Sequence, residues 1–334
     1  LERVAQILKD SRKVALLSHA TPDGDAVGTS LALWEALKNM GQEAGIFSAD
    51  NLPYTYSFLP YAERWQKVKA LPGGYDTVVI LECAHLRRTG LLSADNNLSL
   101  SPWGKENVKL INIDHHLNNE KYAHANWVEE QAPAVGEMVY RLLVELGVKI
   151  TPTMATNLMA AIVTDTGSFH YSSTTPAALR AAAHLMELGA SVVALDESLN
   201  YQKRPSELRL LGRVLETLEV EEQYGLAWME VTPQMLQATG GALEETDEFA
   251  GFPRSISTVK IVIFFKEIES GITKVSLRSK GAVDAAQIAM KFGGGGHENA
   301  AGCRLEKPLA QAKKLVLEAA REYLKSINKV KSIK

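Results

Sequence analysis

The sequence predicts an α/β fold: a doubly wound, mostly parallel sheet followed by a second, smaller α+β domain. Three observations carry this. Short apolar runs alternate with amphipathic stretches through the first half of the chain. One of those runs, "DTVVILECA" (76–84), is continuously apolar, as a strand buried on both faces must be. After about residue 190 the strand-like runs cluster instead of alternating with helices.

Taken in order, "VALLSH" (14–19) reads as the first strand. "AVGTSLALWEALKNMG" (26–41) reads as a helix, with Val27, Leu31, Trp34 and Leu37 at helical spacing and Gly41 as its stop. "EAGIFS" (43–48), the run at 76–84 and "VKLINIDHH" (108–116) are further strands. "GEMVYRLLVELG" (136–147) is a helix. "TPTMATNLMAAIVTDTG" (151–167) is another, capped by Thr151 with Pro152 in its first turn, and "TTPAALRAAAHLMELG" (174–189) repeats that start. The charged stretch 197–220 reads as helical on each side of Pro205. The expected organisation is a catalytic domain over 1–190, a helical connector over 191–220 and a substrate-binding domain over 221–334. In the last of these, "YGLAWMEV", "TVKIVIFFKE" and "ITKVSLRSKG" are strands and "PLAQAKKLVLEAAREYLKSI" is the closing helix.

Bulk properties narrow the partners. The 334 residues are 46% hydrophobic and 22% charged, ordinary for a globular chain of two domains. No apolar stretch reaches the roughly 18 residues of a membrane span, and no signal-peptide pattern follows Leu1. Two cysteines, Cys83 and Cys303, fit a reducing cytoplasm rather than a disulfide scaffold. The net charge of −3 argues against a long duplex as ligand and leaves room for a small anion met by a few local cations.

Chemistry concentrates at strand ends. The first strand ends at His19, with Asp23 and Asp25 in the turn behind it. The run at 76–84 carries Glu82 at its end, and the next strand ends in Asp114, His115 and His116. The helix 151–167 carries Asp165 near its C-terminus. In an open parallel sheet the ligand crevice lies beyond the carboxyl ends of the strands. Each residue alone has a structural explanation: Asp25 as a helix N-cap, Asp165 as a cap of "TGSF", the histidines as loop polar groups. Their joint occurrence on one rim is what counts. Packed carboxylates resist ionising unless cations neutralise them. Two imidazoles and four carboxylates (His19, Asp23, Asp25, Glu82, His115 and Asp165) suit two divalent metals about 3.5–4 Å apart. Nitrogen and oxygen donors without thiolate point to manganese ahead of calcium and away from structural zinc, with magnesium, cobalt and iron left open.

In the second half, "FGGGGH" (292–297) offers backbone N–H groups of Gly294, Gly295 and Gly296 as an anion nest beside His297. Arg278, just past an apolar strand, suits a bidentate phosphate contact. Ser279 follows it, and Arg254 in "GFPRSIS" is a further cation of this kind.

These residues resemble a known family. "SHATPDGDAVG", "DTVVILECA", "NIDHH" and "AAIVTDTGSF" are similar to the four ordered motifs of the DHH phosphoesterase superfamily, and "GGGGHENAAG" to the signature of its associated C-terminal domain. Length and layout most resemble the branch that degrades very short RNA and dephosphorylates 3′-phosphoadenosine 5′-phosphate (pAp). The resemblance implies His19 and Asp23 on one metal, Asp25, His115 and Asp165 on the other, and Glu82 bridging. It implies that Asp114 orients the histidines and that His116 faces the scissile phosphate. It also places the second domain across a cleft, holding the other end of the substrate. Glu82 stands where the family more often has aspartate. Alternatives are a cyclic or linear dinucleotide phosphodiesterase and a non-catalytic nucleotide-binding relative, and a homodimer is compatible with the chain. Asp25→Ala is expected to abolish activity with the fold intact.

Overall fold

The apolar runs of the first half become a sheet whose six strands are all parallel. The structure, a computed structural model, describes residues 1–91, 108–201, 203–269 and 271–331; the side chains of residues 269, 297 and 328–331 lie outside the described set. The chain divides into two units, Leu1–Gln202 and Lys203–Lys334.

In the first unit α1 (Glu2–Asp10) leads into β1 (Lys13–Leu17), α2 (Gly24–Asn39), β2 (Glu43–Ser48), β3 (Trp65–Lys67), β4 (Thr77–Leu81), β5 (Lys109–Asp114) and β6 (Ala125–Val128). Four helices follow: α3 (Val135–Glu145), α4 (Pro152–Asp165), α5 (Pro176–Glu187) and α6 (Val192–Asn200). The strand order is β3-β2-β1-β4-β5-β6. Val14, Leu16, Val79, Leu81, Ile111 and Ile113 point to one face and pack against α1–α5. Ala15, Leu17, Val78, Ile80 and Leu110 point to the other, where Leu71, Leu86 and Leu91 cover them. Burial on both faces is why these strands read as unbroken apolar runs. The helix layer is tight. A Cβ on Gly28 of α2 would lie 2.3 Å from the backbone oxygen of Asn157 on α4, so only glycine permits that approach.

The second unit runs α7 (Pro205–Leu215), β7 (Glu219–Glu221), β8 (Leu226–Val231), α8 (Pro233–Thr239), β9 (Ile261–Glu269), β10 (Ile272–Ser279), α9 (Ala285–Met290), β11 (Gly295–His297), β12 (Ala300–Leu305) and α10 (Leu309–Lys331). Its sheet is mixed, in the order β11-β12-β10-β9-β8-β7, with β8 and β9 parallel and the other neighbours antiparallel. One face packs on α9 and α10 through Ile263, Phe265, Val275, Leu277 and Cys303. The strands β3, β6, β7 and β11 and helix α1 were not legible in the sequence. Each strand is three or four residues long, too short for a period to show. Among the described residues no single helix is long and apolar enough to cross a membrane.

Candidate metal centre

Strand order decides where ligands meet. In this sheet the chain winds outward in one direction from β1 and in the other from β4, so the switch point lies between them. His19 follows the end of β1 and Glu82 follows the end of β4. Their side chains meet, with His19 Nε2 3.1 Å from Glu82 Oε2. Asp23 lies beside them, its carboxylate 3.9 Å from the same ring nitrogen.

The turn after β1 is built by α2. Asp23, not Asp25, is the N-cap: its carboxylate accepts from Ala26 N at 3.1 Å, and the helix begins at Gly24. Asp25 therefore sits in the first helical turn, 1% exposed. It accepts from Val135 N at 2.6 Å, Gly136 N at 2.8 Å and the Thr29 hydroxyl at 3.0 Å. Those two N–H groups open α3, so Asp25 fastens α2 to α3 while presenting its carboxylate to the centre. The N-cap reading of Asp25 is thus corrected, because the helix starts two residues earlier than periodicity alone placed it.

Glu82 adopts a left-handed backbone, φ 53°, uncommon for a non-glycine residue and a mark of conformation held by its surroundings. Glu82 N donates to Ile113 O at 2.9 Å, which ties this kink to the end of β5. Beyond β5, Asp114 accepts from His116 Nδ1 at 2.8 Å and from the Asn119 amide. His115 turns the other way: its Nδ1 donates to Ala132 O at 3.0 Å, and its Nε2 lies 3.4 Å from the Asp165 carboxylate.

Three sets of side chains converge, the ligand atoms of each set within 4.8 Å of one another: His19, Asp23 and Glu82; Asp25, His115 and Asp165; and Glu82, His115 and His116. All six sequence-chosen ligands are therefore brought together, with His116 adjoining. Sequence reasoning missed Thr29, Asn119 and the carbonyls of Ala20 and Ala132. The last two carry no side-chain signal at all.

The profile of the DHH family, N-terminal domain, matches residues 13–162, and that of the DHHA1 domain matches residues 235–326. The chain is 37% identical over 96% of its length to the bifunctional oligoribonuclease and PAP phosphatase NrnA of Thermus thermophilus, covering 93% of that protein. The chain belongs to the DHH family. The NrnA protein of Bacillus subtilis is 29% identical, over 87% of this chain and 89% of that one. Among solved structures, an exopolyphosphatase-related protein from Bacteroides fragilis superposes with a TM-score of 0.90 at 24% identity, covering 98% of this chain and 97% of that one. Exonuclease RecJ bound to manganese superposes at 0.52 and 14% identity, covering 96% and 93%. Both show the fold.

The electrostatics of the DHH cluster fit divalent cations. His19 and His115 each have their tautomer set by a carbonyl, which only accepts. His19 Nδ1 donates to Ala20 O at 2.7 Å and His115 Nδ1 to Ala132 O, so both Nε2 lone pairs face carboxylates. A lone pair opposite a carboxylate oxygen needs a proton or a cation between them. Burial, then Asp23, Asp25 and Asp165, pushes the Glu82 carboxyl well above its ordinary range. Burial likewise carries Asp25 up to about 6 and, with Asp25 beside it, Asp165 up to about 8. Burial opposes charge on His115, but Asp25 and Asp165 outweigh it and raise its pKa, whereas burial lowers that of His19. Asp114 differs. Burial works against its charge, yet the bonds from His116 and Asn119 prevail and hold its carboxyl below the ordinary value.

The DHHA1 region carries the other chosen residues. Arg278 is the penultimate residue of β10, half-buried, with Nη1 donating to Leu277 O at 3.1 Å. Lys280 Nζ donates to Arg254 O and Ile256 O, which brings Arg254 to the same end of that strand. Two expectations, for Ser279 and for Gly294, need correction. Ser279 is fully buried and its hydroxyl donates to Glu298 O at 2.8 Å, so it faces away from Arg278 and is committed to the backbone. In the glycine run, Gly295–His297 form β11 against β12. A Cβ on Gly294 would lie 2.2 Å from Gly302 O, and one on Gly296 2.4 Å from Ala300 O, so both glycines answer to close packing. Gly294 N also donates to Ala289 O, which removes it from any anion nest. His297 lies in β11 by its backbone; its side chain is outside the described residues.

Proposed function

We propose that this chain is a manganese-dependent phosphoesterase that hydrolyses very short RNA to mononucleotides and dephosphorylates pAp to AMP. The names of its 37% and 29% identical relatives support the activity. The observation that carries the reading is the convergence of His19, Asp23, Asp25, Glu82, His115 and Asp165 on one rim of the sheet. His19 and Asp23 would hold one cation and Asp25, His115 and Asp165 the other, with Glu82 between them. Bound there, two divalent cations would lower the pKa of water toward neutrality and offset charge on the phosphoryl oxygens.

The protein's own groups do the rest. Ala20 O and Ala132 O fix the ligating tautomers, so no reorganisation is needed when phosphate arrives. Asp114 accepts a hydrogen bond from His116 Nδ1 and so orients the ring, and His116 faces the scissile phosphate as a hydrogen-bond donor or acid toward the leaving oxygen. Arg278, Arg254 and the β11 backbone hold a second phosphate of the substrate. Both thiols are buried, and burial lifts Cys83 to about 12 and Cys303 to about 11, as suits inert cysteines in a cytoplasmic protein.

One substrate panel with added manganese tests this: an RNA dinucleotide, a five-nucleotide RNA, pAp, cyclic di-AMP, pyrophosphate and a long single-stranded DNA. Turnover of the short RNAs and pAp is expected. Hydrolysis of cyclic di-AMP alone would replace the reading with a cyclic dinucleotide phosphodiesterase, and binding without turnover with a non-catalytic one.

A further inference from the structure

The two faces of the second unit's sheet differ sharply. One packs on α9 and α10. The other is covered over β8 and β9, where Met229, Val231 and Phe264 pack against Leu210, Val214 and Phe249. Over β10 and β12 that second face is open: Lys274 and Arg304 are exposed, and Ser276, Arg278 and Gly302 are half-buried.

The register puts like charges in a row on this face. Lys274 of β10 lies directly opposite Lys266 of β9 on one side and Arg304 of β12 on the other. Like charges facing each other across strands are destabilising. Lys266 is buried and paired with Asp247, Nζ to Oδ1 at 2.6 Å. Lys274 and Arg304 have no such partner: among the described residues neither forms an ion pair with an acidic side chain. Opposed strand residues lie about 5 Å apart at Cα, close enough for both cations to reach one phosphate.

The same face leads to Arg278. Counting along β10, Lys274, Ser276 and Arg278 share it, and on β12 their partners are Arg304, Gly302 and Ala300. Between the two cationic ends the floor is Ser276 beside Gly302, so no large side chain stands in the way. Arg278 is four residues from Lys274, about 13 Å along the strand, too far for one phosphate to bridge.

We propose that Lys274 and Arg304 form a second phosphate subsite, taking a backbone phosphate of an RNA strand that has another of its phosphates held at Arg278. This rests on the oligoribonuclease reading and adds to it a determinant of substrate length. The global charge of −3 hid this local surplus. pAp, with both phosphates on one nucleoside, is too short to use both positions.

Steady-state kinetics of the full chain with manganese, on RNAs of two and five nucleotides, test the proposal. In the wild type, KM falls as the RNA lengthens. The double variant Lys274→Ser with Arg304→Ser raises KM for the five-nucleotide RNA about tenfold, with kcat little changed. It also reduces the slope of log KM against log salt by about 0.7 for each phosphate that no longer meets a cation. Arg304→Lys retains most of the length effect. Both positions are exposed, and removing repelling neighbours leaves the thermal midpoint no lower. An unchanged KM for the longer RNA in the double variant overturns the subsite, as does a wild-type KM independent of length. Failure of the wild type to cleave either RNA overturns the oligoribonuclease reading and the subsite with it.

Discussion

His19 Nε2 lies 3.1 Å from Glu82 Oε2, although 63 residues separate them in the chain. The pair meets because β1 and β4 are neighbours at the switch point of the sheet, and each delivers a polar residue just past its end to the same rim. The left-handed backbone of Glu82 turns its carboxylate there. Partners set by the tertiary structure in this way govern how the protein responds to substitution.

Glu82→Gln keeps the shape of the side chain and removes its charge. With Asp23, Asp25 and Asp165 around it, that change weakens cation binding, and kcat on short RNA is expected to fall by about 10²–10³-fold. Glu82→Asp keeps the charge on a shorter arm and retains more activity than the amide variant. Equal loss in both would show that reach, not charge, is what Glu82 contributes.

Asp25 has two duties. Asp25→Ala strands the N–H groups of Val135 and Gly136 in a buried site, at about 1–3 kcal/mol each. It is therefore expected to lose stability as well as activity, contrary to the expectation of an intact fold. Asp25→Asn keeps one acceptor and loses less stability. Urea denaturation of both variants, compared at the midpoint, measures the difference.

A cation bound to this cluster stabilises the first unit by mass action, by about 2.7 kcal/mol when its concentration is a hundred times Kd. Manganese added to metal-stripped protein should raise the Tm, and a chelator should reverse the rise. In Asp165→Asn the rise should shrink. A Tm indifferent to manganese, magnesium and cobalt alike would remove the cations from the cluster.

Lys266 is 1% exposed and its ammonium meets Asp247 at 2.6 Å, while Asp247 is largely exposed. Burial lowers the Lys266 pKa against the pull of Asp247. Asp247→Ala leaves a buried charge without its partner and should cost about 1–3 kcal/mol, toward the low end because solvent screens the exposed carboxylate. Lys266→Met should be neutral or stabilising. Chemical denaturation of the two variants and their double mutant gives the coupling.

Arg321 of α10 grips Glu221 of β7 with two hydrogen bonds, at 2.9 and 2.5 Å. The arginine holds the Glu221 carboxyl below its ordinary 4.5. A depressed carboxyl binds fewer protons in the native state than in the unfolded one. Its stabilisation is therefore complete above pH 4.5 and declines as pH falls through the lowered value. Glu221→Gln should flatten the acid limb of the stability profile of the full chain below pH 4.5 and leave that limb otherwise intact. An identical acid limb in the variant would refute this.

Local patterns made much of this protein readable. Unbroken apolar runs identify strands buried on both faces, and helical spacing with Thr151–Pro152 and Thr175–Pro176 starts identifies α4 and α5, because period and capping depend only on near neighbours. The ligand types were visible for the same reason: an acid or imidazole at the end of an apolar strand is a local fact. Tertiary structure decided what depends on register and close approach. The order of strands chose which ends meet, so His19 found Glu82 and His115 found Asp165. Helix packing gave Asp25 the N–H groups of α3, close approach to β12 gave Gly294 and Gly296 their purpose, and cross-strand pairing aligned Lys266, Lys274 and Arg304. Such partners lie dozens of residues apart in the chain, and no window of sequence contains both members.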